Sequence, residues 1–330
     1  MKHYYVTAPG QIGVIEEPIP EPEPGEVQLK VTHTAISPGS NVYIYQTGSY
    51  TGEWLGTPQE CIYMGSGVIT KLGDGVETVA VGDRVAVNGI GHQEYAVALA
   101  RKAQLIPESV SSEAASASYL SGWAVSTLHL GKYAAGETVA VVGLGLVGAS
   151  TALVADMMGA RVIGIDVAPK RIAYAQSLGL TAVVQGGTAA SQDEILAIAG
   201  ARGVDLIMET SGAWSGFEQA FSICREYSRI ALMGLYRRTP TAEYALKLHQ
   251  MLYGFPSKLH YKKIDIVGCG YDPEETLIDS PYTFTREGNY AYLLEQAGRG
   301  KIDLDKLVTH RFAADEVGSV WNHSRRVTAR

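Results

Sequence analysis

The segment VAVVGLGLVG, residues 139–148, constrains the fold more than any other stretch of this chain. It places G-x-G-x-x-G directly after an apolar, strand-like run and at the head of a helix-like run, VGASTALVADMMGA. Gly143 allows the tight turn, Gly145 lets backbone approach a pyrophosphate, and Gly148 permits close helix–strand packing. The free N–H groups at the helix start, around Leu146, Val147 and Gly148, receive the phosphates. The next strand, RVIGID, ends in Asp166, at the spacing expected of a carboxylate that binds ribose hydroxyls. A carboxylate there repels a 2′-phosphate, which favours NAD as cofactor. Lys170 and Arg171 lie close by and keep NADP open as the minority reading, and Arg171 is counted with the cofactor-binding residues.

Strands and helices alternate around this unit: ETVAVVG, RVIGIDV, PKRIAYAQSLG, TAVVQ, DEILAIAG, VDLIMET, WSGFEQAFSICRE and SRIALMG, with IDIVGCG as a sixth strand. Short apolar strands joined by amphipathic helices predict an α/β fold, a doubly wound parallel sheet covered on both faces. Two further loops, TSGAW (210–214) and GLYRR (234–238), leave strand C-termini, where open α/β sheets bind ligands. Ser211, Gly212, Gly234, Leu235 and Tyr236 are therefore candidates for holding the nicotinamide half, with ordinary strand-to-helix turns as the alternative. SSEAASASYLSGWAVSTLHLGKY has helical spacing, with Ser111 or Ser112 as its cap.

Length and composition set the outer bounds. A chain of 330 residues is too long for one ordinary core, so two domains are expected. The first third has a different rhythm, short alternating runs broken by turns: VQLKVTHTAI, GSGVITKLGDGVETVAVGDRVAV and HQEYAVALARKAQLIP. Gly73-Asp74-Gly75 reads as a hairpin-type turn and EEPIPEPEPGE as a surface connection. This region predicts a compact, irregular β barrel. The C-terminal segment predicts a helix (GNYAYLLEQAGRGK), a short strand (LVTHRF) and a last helix ending in the basic HSRRVTAR. The expected boundaries are 1–118 for the β domain, 119–284 for the dinucleotide domain and 285–330 for a return to the first. A net charge of −7 gives no support to nucleic-acid or anionic-membrane binding. Three scattered cysteines, Cys61, Cys224 and Cys269, fit a reducing compartment. No run resembles a signal peptide or a membrane span, so a cytoplasmic enzyme acting on a small molecule is expected.

The markers GSGVITKLGDGVETVAVGDRVAV, EYAV, GETVAVVGLGLVG and VIGIDVAPKRIAYAQSLG together resemble the medium-chain dehydrogenase/reductase superfamily, across essentially the whole chain. The resemblance implies a GroES-like β-barrel catalytic domain beside a Rossmann domain, and a homodimer. It also locates a metal site and shows how this chain departs from it. In zinc-dependent members the segment matching IYMGSG carries Gly-His-Glu, whose His binds the catalytic zinc; here Tyr63 and Met64 stand at the His and Glu positions. The first cysteine ligand falls in AISPGSN, where Ser37 and Pro38 stand, and the third falls near Tyr119. Residues 82–107 are too short for the structural zinc lobe and hold no cysteine. No metal is therefore expected, and Cys61 reads as a small buried apolar residue.

Hydride transfer from an alcohol needs a base near the oxygen, or an acid in the reverse direction. Ser40 matches the hydroxyl that relays the proton in the zinc-dependent members. Tyr63 projects from the lost histidine's position, and Tyr43 lies close enough in sequence to join them; each tyrosine has pocket lining as its alternative role. His92 and Glu94 read as orienting a strand edge. AISPGSN resembles the I-S-x-G-T-E segment of the bacteriochlorophyllide hydroxyethyl dehydrogenase and related secondary-alcohol or cyclitol dehydrogenases, departing at Ser40 and Asn41. Three functions are thereby expected in order: a zinc-independent, NAD-dependent dehydrogenase of a sugar, cyclitol or similar polyol; a quinone or enoyl reductase; and a non-catalytic dinucleotide sensor.

Overall fold

The computed structural model describes residues 1–200, 203–237, 239–254, 257–270, 285–317 and 320–321. The chain divides into two units, one formed by Met1–Tyr119 with Tyr290–Arg330 and one by Leu120–Asn289.

The first unit runs β1 (Lys2–Ala8), β2 (Gln11–Glu16), β3 (Glu26–Thr34), α1 (Ser40–Thr47), β4 (Gln59–Glu60), β5 (Met64–Leu72), β6 (Arg84–Asn88), β7 (His92–Gln93), β8 (Tyr95–Leu99), β9 (Gln104–Leu105) and α2 (Ser112–Ser116). One antiparallel sheet has the order β2-β1-β4, with β7 also on β1; the other is five-stranded, β8-β3-β5-β6-β9. Inward-facing Val27, Leu29, Ile69, Val85 and Val87 form the core of the five-stranded sheet. Tyr4, Val6, Val42, Tyr45, Ile62 and Trp321 form a second core, where the Tyr45 and Trp321 rings stack at 5.4 Å. The proline-rich 17–25 segment carries no regular structure, as its missing N–H donors require.

Gly73-Asp74-Gly75 forms a turn, the Val76 amide donating to the Gly73 carbonyl at 3.4 Å, in the long connection of the antiparallel pair β5–β6 and not as a two-residue hairpin tip. Residues 73–83 join β5 to β6, and the turn bonds sideways: the Gly25 amide donates to the Asp74 carbonyl at 2.9 Å, and the Gly73 amide to the Glu26 carbonyl at 2.8 Å. LVTHRF is not a strand either. A 3₁₀ turn, Leu304–Leu307, precedes an irregular stretch, because Leu304 and Leu307 are both buried and i,i+3 spacing aligns them on that tighter helix. HSRRVTAR lies outside the described residues.

Helix α3 (Ser118–Leu130) follows α2, and the single capped helix expected from the sequence is broken at Ala117; Ser111 is the cap, its hydroxyl accepting from the Ala114 amide. The second unit continues with β10 (Thr138–Val142), α4 (Leu146–Met157), β11 (Arg161–Asp166), α5 (Pro169–Ser177), β12 (Val183–Gln185), α6 (Ala189–Ala199), β13 (Val204–Glu209), α7 (Trp214–Ser222), β14 (Cys224–Leu232), α8 (Ala242–Tyr253), α9 (Lys258–Lys262) and β15 (Asp265–Gly268). Helix α10 (Arg286–Gly298) comes next. The six strands form one parallel sheet, β12-β11-β10-β13-β14-β15, which is the doubly wound order with its reversal beside β10. Its core includes Ala140, Val142, Ile163, Ile165, Ile207, Phe221 and Ile230. Helix α7 stops at Ser222, short of the expected Glu226, because Cys224 already pairs with Val204 and a left-handed Tyr227 (φ 62°) lies within the irregular start of β14. Among the described residues no helix is long and apolar enough to cross a membrane.

Candidate active site

Two groups of predicted residues are brought together, one in each unit. In the second unit, β10 is buried along its whole length and delivers the chain into Gly143, whose φ of 93° suits glycine. A side chain at Gly148 would overlap the Gly143 carbonyl, so α4 starts hard against the turn only because that position is glycine. Gly145 is the N-cap of α4 and supplies no side-chain acceptor. The amides of Leu146, Val147 and Gly148 thus open a helix with no cap of its own, the arrangement that favours an anion.

Asp166 ends β11 with its side chain 2% exposed. Its Oδ2 accepts from the Leu144 amide at 2.6 Å and its Oδ1 from the Ala168 amide at 2.8 Å. Arg171 Nη1 lies 3.5 Å from the same Oδ2, while its side chain is 46% exposed. Ser211 and Gly212 follow β13, and Gly234, Leu235 and Tyr236 follow β14. The two loops touch: a side chain on Gly212 would meet the Leu235 backbone, and one on Gly143 would meet Ser211. The Thr210 hydroxyl donates to the Gly143 carbonyl at 2.6 Å, joining the third loop to these two. Two residues outside the expected set also shape the site: Thr210, and Glu209, which gathers donors from Ser211, Gly212 and Tyr236. An acid closing the apolar run VDLIME was the signal available for Glu209.

In the first unit, residues 35–39 lead into α1 through a closed turn. The Ser37 amide donates to Asn41 Oδ1 at 2.6 Å, and the Asn41 amide to the Ser37 carbonyl at 2.9 Å. This places Ser37 and Ser40 near enough to the Tyr63 hydroxyl to favour its ionised form. Tyr63 precedes β5, and its carbonyl accepts the Gly89 amide at 2.6 Å. Burial pushes the phenol up to about 12; nearby Tyr50 and Tyr119 add to the rise, and the hydroxyls of Ser37 and Ser40 oppose it. The Tyr119 ring stands edge-on to Tyr63 at 6.2 Å and to Tyr290 at 6.0 Å. Tyr290 is itself bonded to Ser118 at 3.1 Å. The Tyr43 hydroxyl lies against Gly52, in the segment after α1. His92 and Glu94 lie beside β1; His92 bonds to Thr34 at 2.6 Å, and Glu94 accepts the Lys2 amide at 2.7 Å.

The positions that carry zinc ligands in the resembling enzymes are Ser37 or Pro38, Tyr63 and Tyr119. Zinc takes His nitrogen, Cys thiolate or carboxylate. Serine hydroxyls and a phenol pushed up to about 12 do not fit that chemistry. Among the described residues no three His, Cys, Asp or Glu side chains gather as a metal site. Cys61, fully buried, donates its thiol to the Tyr4 carbonyl at 3.1 Å, and burial, with Glu60 adding, pushes it up to about 12.

The parallel sheet with its glycine turn and acid-ended second strand defines a dinucleotide-fold α/β chain carrying an antiparallel β unit. Comparison with known proteins agrees. Residues 146–276 match the family model described as "Zinc-binding dehydrogenase". The chain is 28% identical to the L-threonine 3-dehydrogenase of Pyrococcus horikoshii, over 91% of this chain and 87% of that protein. Among solved structures, galactitol-1-phosphate dehydrogenase from Escherichia coli superposes with a TM-score of 0.80 at 20% identity, covering 99% of this chain and 97% of that one. A short chain alcohol dehydrogenase from E. coli CFT073, complexed with NADH, gives 0.77 at 23% identity, with 98% and 94% covered. A zinc-binding dehydrogenase from Sinorhizobium meliloti 1021, bound to NADP, gives 0.74 at 18%, with 97% and 94% covered. The chain is thus similar to proteins described as zinc-binding, threonine and alcohol dehydrogenases.

Proposed function

We propose that this chain is an NAD-dependent oxidoreductase that works without zinc, moving a hydride between nicotinamide and a secondary alcohol or ketone of a sugar, cyclitol or similar polyol. The observation that carries the zinc-independent reading is that hydroxyl side chains, those of Ser37, Ser40 and a half-buried Tyr63, stand at positions where relatives by resemblance hold metal. The oxidoreductase reading is supported by the dehydrogenases that the chain matches along nearly its whole length. NAD, when bound, supplies the hydride acceptor. Gly143, Gly145 and Gly148 with the start of α4 bind its pyrophosphate, and Asp166 takes the ribose hydroxyls. A phenol pushed up to about 12 stays protonated at neutral pH, so Tyr63 donates to the substrate oxygen rather than acting as a free base. Ser40 and Ser37, close to that phenol, carry the proton onward or return it. Tyr43 lines the pocket in this reading.

The test is a cofactor-reduction screen with NAD and NADP against sugars, cyclitols, simple secondary alcohols and quinones. Turnover of polyols with NAD supports the proposal. Turnover confined to quinones or enones with NADPH establishes the reductase alternative, and dinucleotide binding with no turnover points to a sensor. A cytoplasmic homodimer belongs to the same proposal, with β15 at the sheet edge as the pairing strand. Sedimentation at the mass of a single chain would remove that part.

A further inference from the structure

Glu209 is fully buried at the end of β13, and its carboxylate gathers four donors from two different loops. Oε1 accepts from the Ser211 amide at 2.9 Å and from the Ser211 hydroxyl. Oε2 accepts from the Gly212 amide at 3.3 Å and from the Tyr236 hydroxyl at 2.6 Å. The Glu209 carbonyl also accepts from the amides of Met233 and Gly234, both at 2.9 Å. A buried carboxylate is costly unless donors surround it, and here those donors come from the exit loops of β13 and β14 together. The loops meet so closely that a side chain at Gly234 would run into the Gly212 backbone and Glu209 Oε2. Tyr236 is clamped on its other side by the Trp214 ring at 4.6 Å, at the start of α7. Burial and then the bond to Glu209 push the Tyr236 hydroxyl far up, so it remains a donor. The Leu144–Asp166 bond, which organises the glycine turn, is made without Glu209.

We propose that Glu209 and Tyr236 are positioning residues that fix the β13 and β14 exit loops for the nicotinamide half of the dinucleotide, separately from the hold on its adenosine half. This rests on the dinucleotide reading above. Ligands of open α/β sheets lie outside the carboxyl ends of the strands at the reversal of strand order, and the two joined loops leave those ends. Glu209→Gln keeps the shape but offers an N–H₂ group where one oxygen must accept. Tyr236→Phe deletes one donor and keeps the ring against Trp214.

The experiment titrates the native protein and both variants with NADH and with ADP-ribose, which lacks nicotinamide. Glu209→Gln should weaken NADH binding about tenfold or more, the loss expected of a charged buried hydrogen bond, and leave ADP-ribose unchanged. Tyr236→Phe should show the same selectivity at smaller size, and it decides the matter if Glu209→Gln folds poorly. Equal loss of both ligands in Tyr236→Phe, or no loss of either, overturns the proposal. A native protein that binds neither NADH nor NADPH overturns the dinucleotide reading itself, and the proposal falls with it.

Discussion

The Asp166 carboxylate accepts the Leu144 amide at 2.6 Å and so ties the end of β11 to the middle of the glycine turn. The residue expected to choose the cofactor also shapes the glycine turn. Arg171 Nη1 lies 3.5 Å from the same oxygen.

Replacing Asp166 by Ala should therefore do two things. It removes the charge that repels a 2′-phosphate and releases Arg171 to pair with one, so the preference for NAD over NADP should shrink by about tenfold or more, since juxtaposed like charges cost several kcal/mol. It also strips the acceptor from the Leu144 and Ala168 amides, so the KM for NAD should rise as well. Steady-state kcat/KM with both cofactors measures this. A native enzyme that already prefers NADP assigns the site to Arg171 and Lys170 instead.

His3 provides a pH dependence independent of catalysis. It is buried, with Nδ1 2.9 Å from Glu17 Oε2, Nε2 3.1 Å from Glu60 Oε2, and the Tyr5 hydroxyl 2.8 Å from Nδ1. Burial alone pulls its pKa down, but the bonds to Glu60 and Glu17 outweigh it, and the net shift is upward from 6.5. A group whose folded pKa is raised stabilises fully below 6.5 and loses that contribution as pH climbs through the raised value. The melting temperature should accordingly fall as pH rises from about 6.5, the unfolded histidine's value, and His3→Gln should flatten that slope. The neighbouring charges work at other pH: Glu17, held low by His3, loses its contribution only in acid, and His92 is pulled down by burial. An unchanged slope in His3→Gln would remove His3 as the cause.

The parts of this molecule legible in its sequence are those where one physical rule acts alone. Period and turn chemistry around residues 138–166 dictate strand, glycine turn, helix and acid-ended strand, because the turn's geometry admits few residues. Where two demands competed, the pattern misled. SICRE has helical spacing, yet Cys224 pairs with Val204 in the sheet. LVTHRF alternates like a strand, yet the burial of Leu304 and Leu307 sets a 3₁₀ turn. The acid closing VDLIME marks Glu209, but not its partners Ser211, Gly212 and Tyr236, because only the folded sheet brings the two loops onto one carboxylate. The edge-on packing of Tyr63 and Tyr119 likewise joins residues far apart in sequence.

Protein purified without a metal-binding tag should contain well under one equivalent of zinc, and chelators should leave its turnover intact, because the hydroxyls at Ser37, Ser40, Tyr63 and Tyr119 are not the ligands zinc selects. Elemental analysis alongside the rate settles it. Stoichiometric zinc whose removal abolishes turnover would place the ligands elsewhere in the chain.

Tyr63→Phe is the most direct test of the proposed chemistry. The substitution keeps the ring against Tyr119 and deletes only the hydroxyl near Ser37 and Ser40. If the phenol donates to the substrate oxygen, turnover should fall by ~10²–10⁴, the usual contribution of a positioned acid–base group, with a much smaller change in cofactor binding. Ser40→Ala should also lower turnover, and by less, because Ser37 still reaches the phenol. The pH profile adds a second constraint. With its phenol pushed up to about 12, Tyr63 is protonated throughout the neutral range, so ketone reduction should show no limb from this residue until pH approaches that value. Near-normal turnover in Tyr63→Phe would make Tyr63 a wall of the pocket, and the proton path would then have to start at Ser40, at Tyr43 or on the substrate's own hydroxyls.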